Sequence, residues 1–183
     1  RNKSLIDLYT MVLKKPRPIL RDMAVEIHKS DANQVVVTSS RSKLSGYDAA
    51  QALACYMQSD TMKVAVINFS SRAKKLDIDY ERLSEGPFVV AERAGHVSIL
   101  RPDGDLTAME LLSQRGFRGS IQSLNSIFDL VFLSADNGDA ISLLSALEGQ
   151  KMFHITLATT KKTKSASMTQ MRSRLPIQGL LHD

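Results

Sequence analysis

Tryptophan is absent from this 183-residue chain, and all aromatics together make up only 5% of it. A platform for stacking single-stranded nucleic acid needs aromatics interleaved with basic residues, and none is spelled here. Cys55 is the single cysteine. It excludes an intramolecular disulfide, suits a reducing compartment, and reads as a small buried apolar residue. The histidines His28, His96, His154 and His182 stand far apart, so no Cys/His cluster has metal-ligand spacing and no metal is expected. No run of about 18 apolar residues occurs, which leaves no candidate for a membrane-spanning helix. The chain also lacks an initiating Met and an apolar leader: it starts at Arg1, as a piece of a longer protein or a processed chain would.

What is present is a globular composition, 43% hydrophobic and 23% charged, of a length that suits one domain with an ordinary core. The net charge is +5. Much of it lies in local runs at Lys14-Lys15, Lys74-Lys75 and Lys161-Lys162 with Lys164. These read as solvated surface, with a basic face toward an anionic inner leaflet as the alternative. Nucleic acid is not an expected partner.

Apolar spacing predicts a helix over 2–13, a break at Lys14 to Pro18, and a second helix over 19–28. Residues 1–18 therefore read as a helical segment and linker, and 19–183 as the main domain. Gln34 to Ser40 reads as a buried strand running into a turn, Gly46 to Gln58 as an Ala-rich helix, and Met62 to Phe69 as a second buried strand. A short strand pair follows at Phe88 to Ala91 and His96 to Leu100, turning at Ala94-Gly95. Short helices over Thr107 to Arg115 and Ser120 to Ser126 come next. The rest reads as strand Phe128 to Leu133, helix Gly138 to Leu147, strand Phe153 to Ala158, helix Lys164 to Arg174 and a last strand Ile177 to Leu181. Apolar strands alternating with helices predict a doubly wound α/β domain: a mainly parallel sheet with helices on both faces. In such folds the carboxyl ends of the strands form the ligand crevice.

The turn between the first strand and the Ala-rich helix is where a phosphate-binding loop, G-x-x-x-x-G-K-[ST], would stand. The stretch here is Ser40-Arg41-Ser42-Lys43-Leu44-Ser45-Gly46-Tyr47-Asp48. If Ser39-Ser40 open the loop, Gly46 takes the lysine position, and Tyr47 and Asp48 take the positions of the Ser/Thr pair. The other strand ends are neutral where an ATPase holds Mg²⁺ with acids: Asn68 and Ser70 after the second strand, Ser134 after the third.

The order VVVTSS, AAQALA, KVAVINFSSR, HVSILRPDG and FDLVFLSADN with DAISLL resembles the cytoplasmic domain of bacterial tyrosine kinases fused to polysaccharide co-polymerases, a MinD/ParA-like branch of P-loop proteins. The resemblance spans about residues 20–183 and rests on the hydrophobic framework with Thr38-Ser39, Ala54, Arg72, Phe128 to Val131 and Asp139-Ala140. It fails at every catalytic position: Gly46 for Lys, Tyr47 for Ser, Asn68 and Ser70 for the Walker A′ aspartates, and Ser134 for the Walker B aspartate. No tyrosine-rich tail follows, and the ring-forming E-x-x-R-x-x-R stretch is not matched in Arg21 to Lys29. The resemblance implies a P-loop-type fold whose nucleotide loop (residues 40–48) and Walker A′/B positions (Asn68, Ser70, Arg72, Ser134) are vestigial, with no catalytic residue and no cofactor.

The individual residues have plainer readings beside these. Lys43 is an exposed loop charge, unless it replaces the missing lysine. Asp48 is a first-turn carboxylate favoured by the helix dipole. The Tyr47 ring either fills the phosphate space or packs on a neighbouring loop. Tyr47 and Asp48 together are expected to close the old site, the carboxylate satisfying the helix amides from within. Arg72 is a surface residue and Asp129 a turn or cap.

The function implied is a non-catalytic interaction or scaffolding module of an exopolysaccharide chain-length or export protein, on the cytoplasmic side of the bacterial inner membrane. Its implied partners are the membrane part of the same protein, further copies and the polysaccharide assembly machinery. The alternatives are a divergent ATPase or protein tyrosine kinase using ATP or ADP with Mg²⁺, and a MinD/ParA-like positioning protein on membrane or DNA.

Overall fold

The computed structural model describes residues 4–40, 45–71, 81–84 and 86–157. The expectations for Arg41 to Leu44, Arg72, helix 164–174 and strand 177–181 lie outside the described residues. In chain order the elements are α1 (Leu5–Lys14), α2 (Pro18–Ser30), β1 (Gln34–Ser39), α3 (Gly46–Met57), β2 (Val64–Asn68), β3 (Glu81–Arg82), β4 (Phe88–Ala94) and β5 (Val97–Pro102). Then come α4 (Ala108–Leu111), α5 (Phe117–Ser123) with a 3₁₀ turn over Leu124–Ser126, β6 (Leu130–Asp136), α6 (Asn137–Ala146) and β7 (Phe153–Leu157).

The strands form one seven-stranded sheet in the order β3-β4-β5-β2-β6-β1-β7. From β5 to β7 every neighbouring pair is parallel; β4 and β3 add an antiparallel end. The three runs β1, β2 and β6 lie side by side in the interior of the sheet, as their unbroken apolar sequences require. Helices cover both faces. Alternate residues of each strand feed two separate cores, because successive side chains point to opposite faces. Val35, Val37, Val64, Val66, Leu130 and Phe132 pack under α1, α2 and α3. Val36, Ala65, Ile67, Val131 and Leu133 pack with Phe117, Ile121, Leu124 and Leu143 on the other face. Phe69 and Phe117 meet edge to face there, with ring centroids 5.9 Å apart.

Local chemistry fixes the helix starts. Ser45 caps α3, its Oγ accepting from Asp48 N at 3.0 Å. Thr107 and Glu110 cap each other's backbone at the start of α4, and Pro18 opens α2. Cys55 is buried inside α3, and burial pushes its thiol up to about 12, so it is an inert packing residue.

Several boundaries differ from those predicted. The third strand, predicted over Phe128 to Leu133, runs over Leu130–Asp136, so Ser134 lies within it rather than after it. β4 runs on to Ala94, with an irregular register between Val90 and Glu92, and the hairpin turns at Gly95-His96. Its outer half carries two adjacent exposed charged residues, Glu92 and Arg93, beyond the irregularity, which a search for apolar runs does not find. The helix over 107–115 shrinks to α4, and the next helix begins earlier, at Phe117. Gly116, at φ 89, separates them in a conformation that favours glycine. β3 was not foreseen, being two exposed polar residues. α1 joins the first core through Leu5 and Val12.

Candidate functional site

Parallel strands present their carboxyl ends together, and the start of α3 sits over those of β1 and β6. Gly46, the first residue of α3, is packed so closely that an added Cβ would stand 2.7 Å from the Val37 carbonyl oxygen and 3.2 Å from that of Ala135. No side chain fits there without a backbone shift. The glycine is what allows the helix end to reach the sheet.

Outward-pointing amides at a helix start attract anions, and here the chain supplies one itself. Asp136 Oδ1, at the end of β6, accepts from Gly46 N at 2.8 Å. With Ser45 Oγ taking Asp48 N, two of the α3 amides are satisfied internally. The carboxylate that does this is Asp136, not Asp48 as expected: Asp48 is exposed and bonds through its backbone. β6 ends directly beneath the start of α3, and its register with β1 sets Asp136 beside Ser39, within reach of the Gly46 amide. Tyr47 is half-buried against the core under α1, α2 and α3. Burial first, then the carboxylates of Glu92 and Asp48, push its phenol above the usual range, against the opposing Arg101. The Tyr47 ring is thus part of the core packing.

The predicted neutral positions do meet. Ser134 is fully buried, and its Oγ lies 3.4 Å from both the Ile67 carbonyl oxygen and Asn68 Oδ1. A hydroxyl and an amide therefore face each other where paired acids would hold a cation. Asp136 is half-buried and its carboxyl is shifted upward. Burial is the main cause, the Gly46 amide opposes it, and Asp48 and Asp139 add to it. Asp139, in the first turn of α6, accepts from Ser71 N at 3.1 Å and from Ser71 Oγ at 3.3 Å. Ser40 is exposed at the end of β1, and Ser70 follows β2. Among the described residues, no group of three or more His, Cys, Asp or Glu is arranged to hold a metal ion.

Beside these, Thr38 Oγ1 and His154 Nε2 lie 2.8 Å apart on neighbouring strands. Burial lowers the His154 pKa to about 4, so the imidazole is neutral at pH 7. Thr38 is fully buried and closed to any substrate, which makes this a satisfied internal pair. Asp129 accepts from Lys63 N at 2.8 Å, the turn-fixing role its sequence suggested.

Asp136 and Asp139 were the residues that sequence reasoning missed as parts of this site. The available signal was position alone: Asp136 is an acid directly following a buried strand, where ligand-facing residues gather.

In comparisons with protein-family models, with curated proteins and with solved structures, nothing matches this chain.

Proposed function

We propose that this chain is a non-catalytic relative of P-loop ATPases that works as an interaction module. The observation that carries the reading is the 2.8 Å hydrogen bond from Gly46 N to Asp136 Oδ1. An internal carboxylate there competes with any phosphate for the α3 amides and repels it. Gly46, which stands in the position of a catalytic lysine, accepts no side chain, and Tyr47 and Asp48 follow it. Neither brings fixed positive charge. Asn68 and Ser134, bonded to each other, offer Mg²⁺ no anionic ligand.

The order of strands and small-residue markers supports a more specific context: a cytoplasmic module of an exopolysaccharide chain-length or export protein at the bacterial inner membrane. There it would contact the membrane part of the same protein, other copies of itself and the polymer-assembly machinery. A coding frame that continues upstream of Arg1 through two membrane-spanning segments flanking an external domain would support this context.

Calorimetric titration with Mg·ATP and Mg·ADP tests the non-catalytic reading. Each missing charge-assisted contact is worth roughly 1.5–3 kcal/mol, so binding weaker than about 0.1 mM is expected. Sub-micromolar binding would overturn the proposal in favour of a divergent ATPase or tyrosine kinase.

A further inference from the structure

α1 is apolar on both sides. Leu5, Leu8 and Val12 face the core, whereas Ile6 is 61% and Leu13 52% exposed. Seven residues apart, Ile6 and Leu13 share one side of the helix. The helix cannot roll to bury them, because it is pinned at two places. Leu5 N donates to Glu92 Oε2 at 3.4 Å. Tyr9 lies against the β4–β5 turn, where a Cβ on Gly95 would stand 2.6 Å from the Tyr9 hydroxyl oxygen. The same hydroxyl accepts from Gln58 Nε2 at 3.5 Å. A helix with apolar residues all round ordinarily has a second surface to cover it.

The bend that follows α1 carries positive charge. Lys14, Lys15 and Arg17 are exposed and form no ion pair among the described residues. The neighbouring cations of α2 are instead paired on their own helix, Arg21 with Asp22 at 3.5 Å and Lys29 with Glu26 at 3.7 Å. Pro16 and Pro18 stop α1 from continuing into α2, so the bend stays a distinct feature with Leu13 at its edge. We propose that the outer side of α1 and the bend at residues 14–17 dock on an anionic lipid bilayer. Ile6 and Leu13 would enter the boundary between headgroups and acyl chains, while Lys14, Lys15 and Arg17 meet lipid phosphates. A second copy of the chain fits this surface less well: it would set the same unpaired cations against one another, on a molecule of net charge +5. The contact builds on the membrane-side context proposed above, putting the module on the lipid itself. It is tested apart from the upstream coding frame and the nucleotide titration, so each can fail alone.

Flotation of the chain with vesicles reads the contact directly. It should float with vesicles of phosphatidylcholine and phosphatidylglycerol, not with phosphatidylcholine alone, and less as salt rises. Ile6→Gln with Leu13→Gln should weaken binding roughly tenfold or more, and Lys14→Gln with Lys15→Gln by a similar factor. All four residues are exposed, so the fold should keep its unfolding midpoint. The control pair lies away from α1: Ile141, 68% exposed on α6 of the other sheet face, and the exposed Lys151. Ile141→Gln with Lys151→Gln should leave binding unchanged. Leu13→Trp gives the chain its single tryptophan, whose emission should shift to the blue on the anionic vesicles. Flotation with neither kind of vesicle overturns the proposal and leaves an acidic protein surface as the occupant. An equal loss in the control pair also overturns it, since the binding would then follow net charge alone. So does a tryptophan emission at position 13 that the anionic vesicles leave unmoved.

Discussion

The two ends of the sheet are built differently. At the carboxyl ends of β1, β2 and β6, the polar groups are turned onto one another: Asp136 on Gly46, Asp139 on Ser71, Ser134 beside Asn68. At the amino ends lies an open groove of about 330 Å³, lined by Ile27, His28, Asn33, Met57, Met62 and Asp129 among others. The ligand crevice of a doubly wound fold is expected at the first end, and among the described residues this groove is at the second. A fold fixes where helix ends and strand ends gather, and the side chains placed there decide whether the place stays open.

The sharpest way to break the contrast is Gly46→Lys. At the closed end the new side chain begins 2.7 Å from the Val37 carbonyl oxygen, and the overpacking should cost about 3 kcal/mol of unfolding free energy in urea denaturation. At the open end the exposed His28→Lys should stay within about 0.5 kcal/mol of the parent. Equal effects at the two ends would mean that α3 does not seat against β1 as described.

An effect of up to about 2–3 kcal/mol is expected from acid, through His154. Its folded-state pKa of about 4 lies below the unfolded value near 6.5. Its contribution is complete above the unfolded pKa and is lost as pH falls from about 6.5 toward 4. Thermal unfolding at stepped pH should show this slope, and His154→Gln should flatten it. A slope that survives the substitution would assign the acid sensitivity elsewhere.

The smallest effect separates two residues in the left-handed region, one near each end. Asp31, at φ 55, closes α2 beside the groove, its amide bonding to the His28 carbonyl oxygen. Glycine suits that position, so Asp31→Gly should stabilise by about 0.5 kcal/mol. Asn137 has the same backbone sign, and Asn137→Ala should cost about 1 kcal/mol while Asn137→Gly costs little. Chemical denaturation with unchanged m-values would establish both. A destabilising Asp31→Gly would show that the groove end uses the Asp31 carboxylate.

Much of this architecture could be read from residue order. Val35–Val37, Val64–Ile67 and Leu130–Leu133 are unbroken β-branched and apolar runs too short for buried helices, so their place inside a parallel sheet follows from composition. The α3 start was legible too, from the Ala-rich run that opens at Gly46. The outer half of β4 and the two-residue β3 were not, because edge pairing depends on what the neighbouring strand offers rather than on apolar content.

The candidate site divides along the same line. The amino-acid order alone identified the neutral residues at 68 and 134, since these are absences of charge at positions counted from a strand. It could not show that Gly46 is a point of closest approach, because that depends on the Val37 and Ala135 carbonyl oxygens above which α3 begins. Nor could it show that Asp136 closes the helix end across a separation of 90 residues. Local sequence sets propensity and pattern through interactions a few residues long. Which carboxylate meets which amide is decided only when β1 and β6 pair in register, bringing Ser39 beside Asp136.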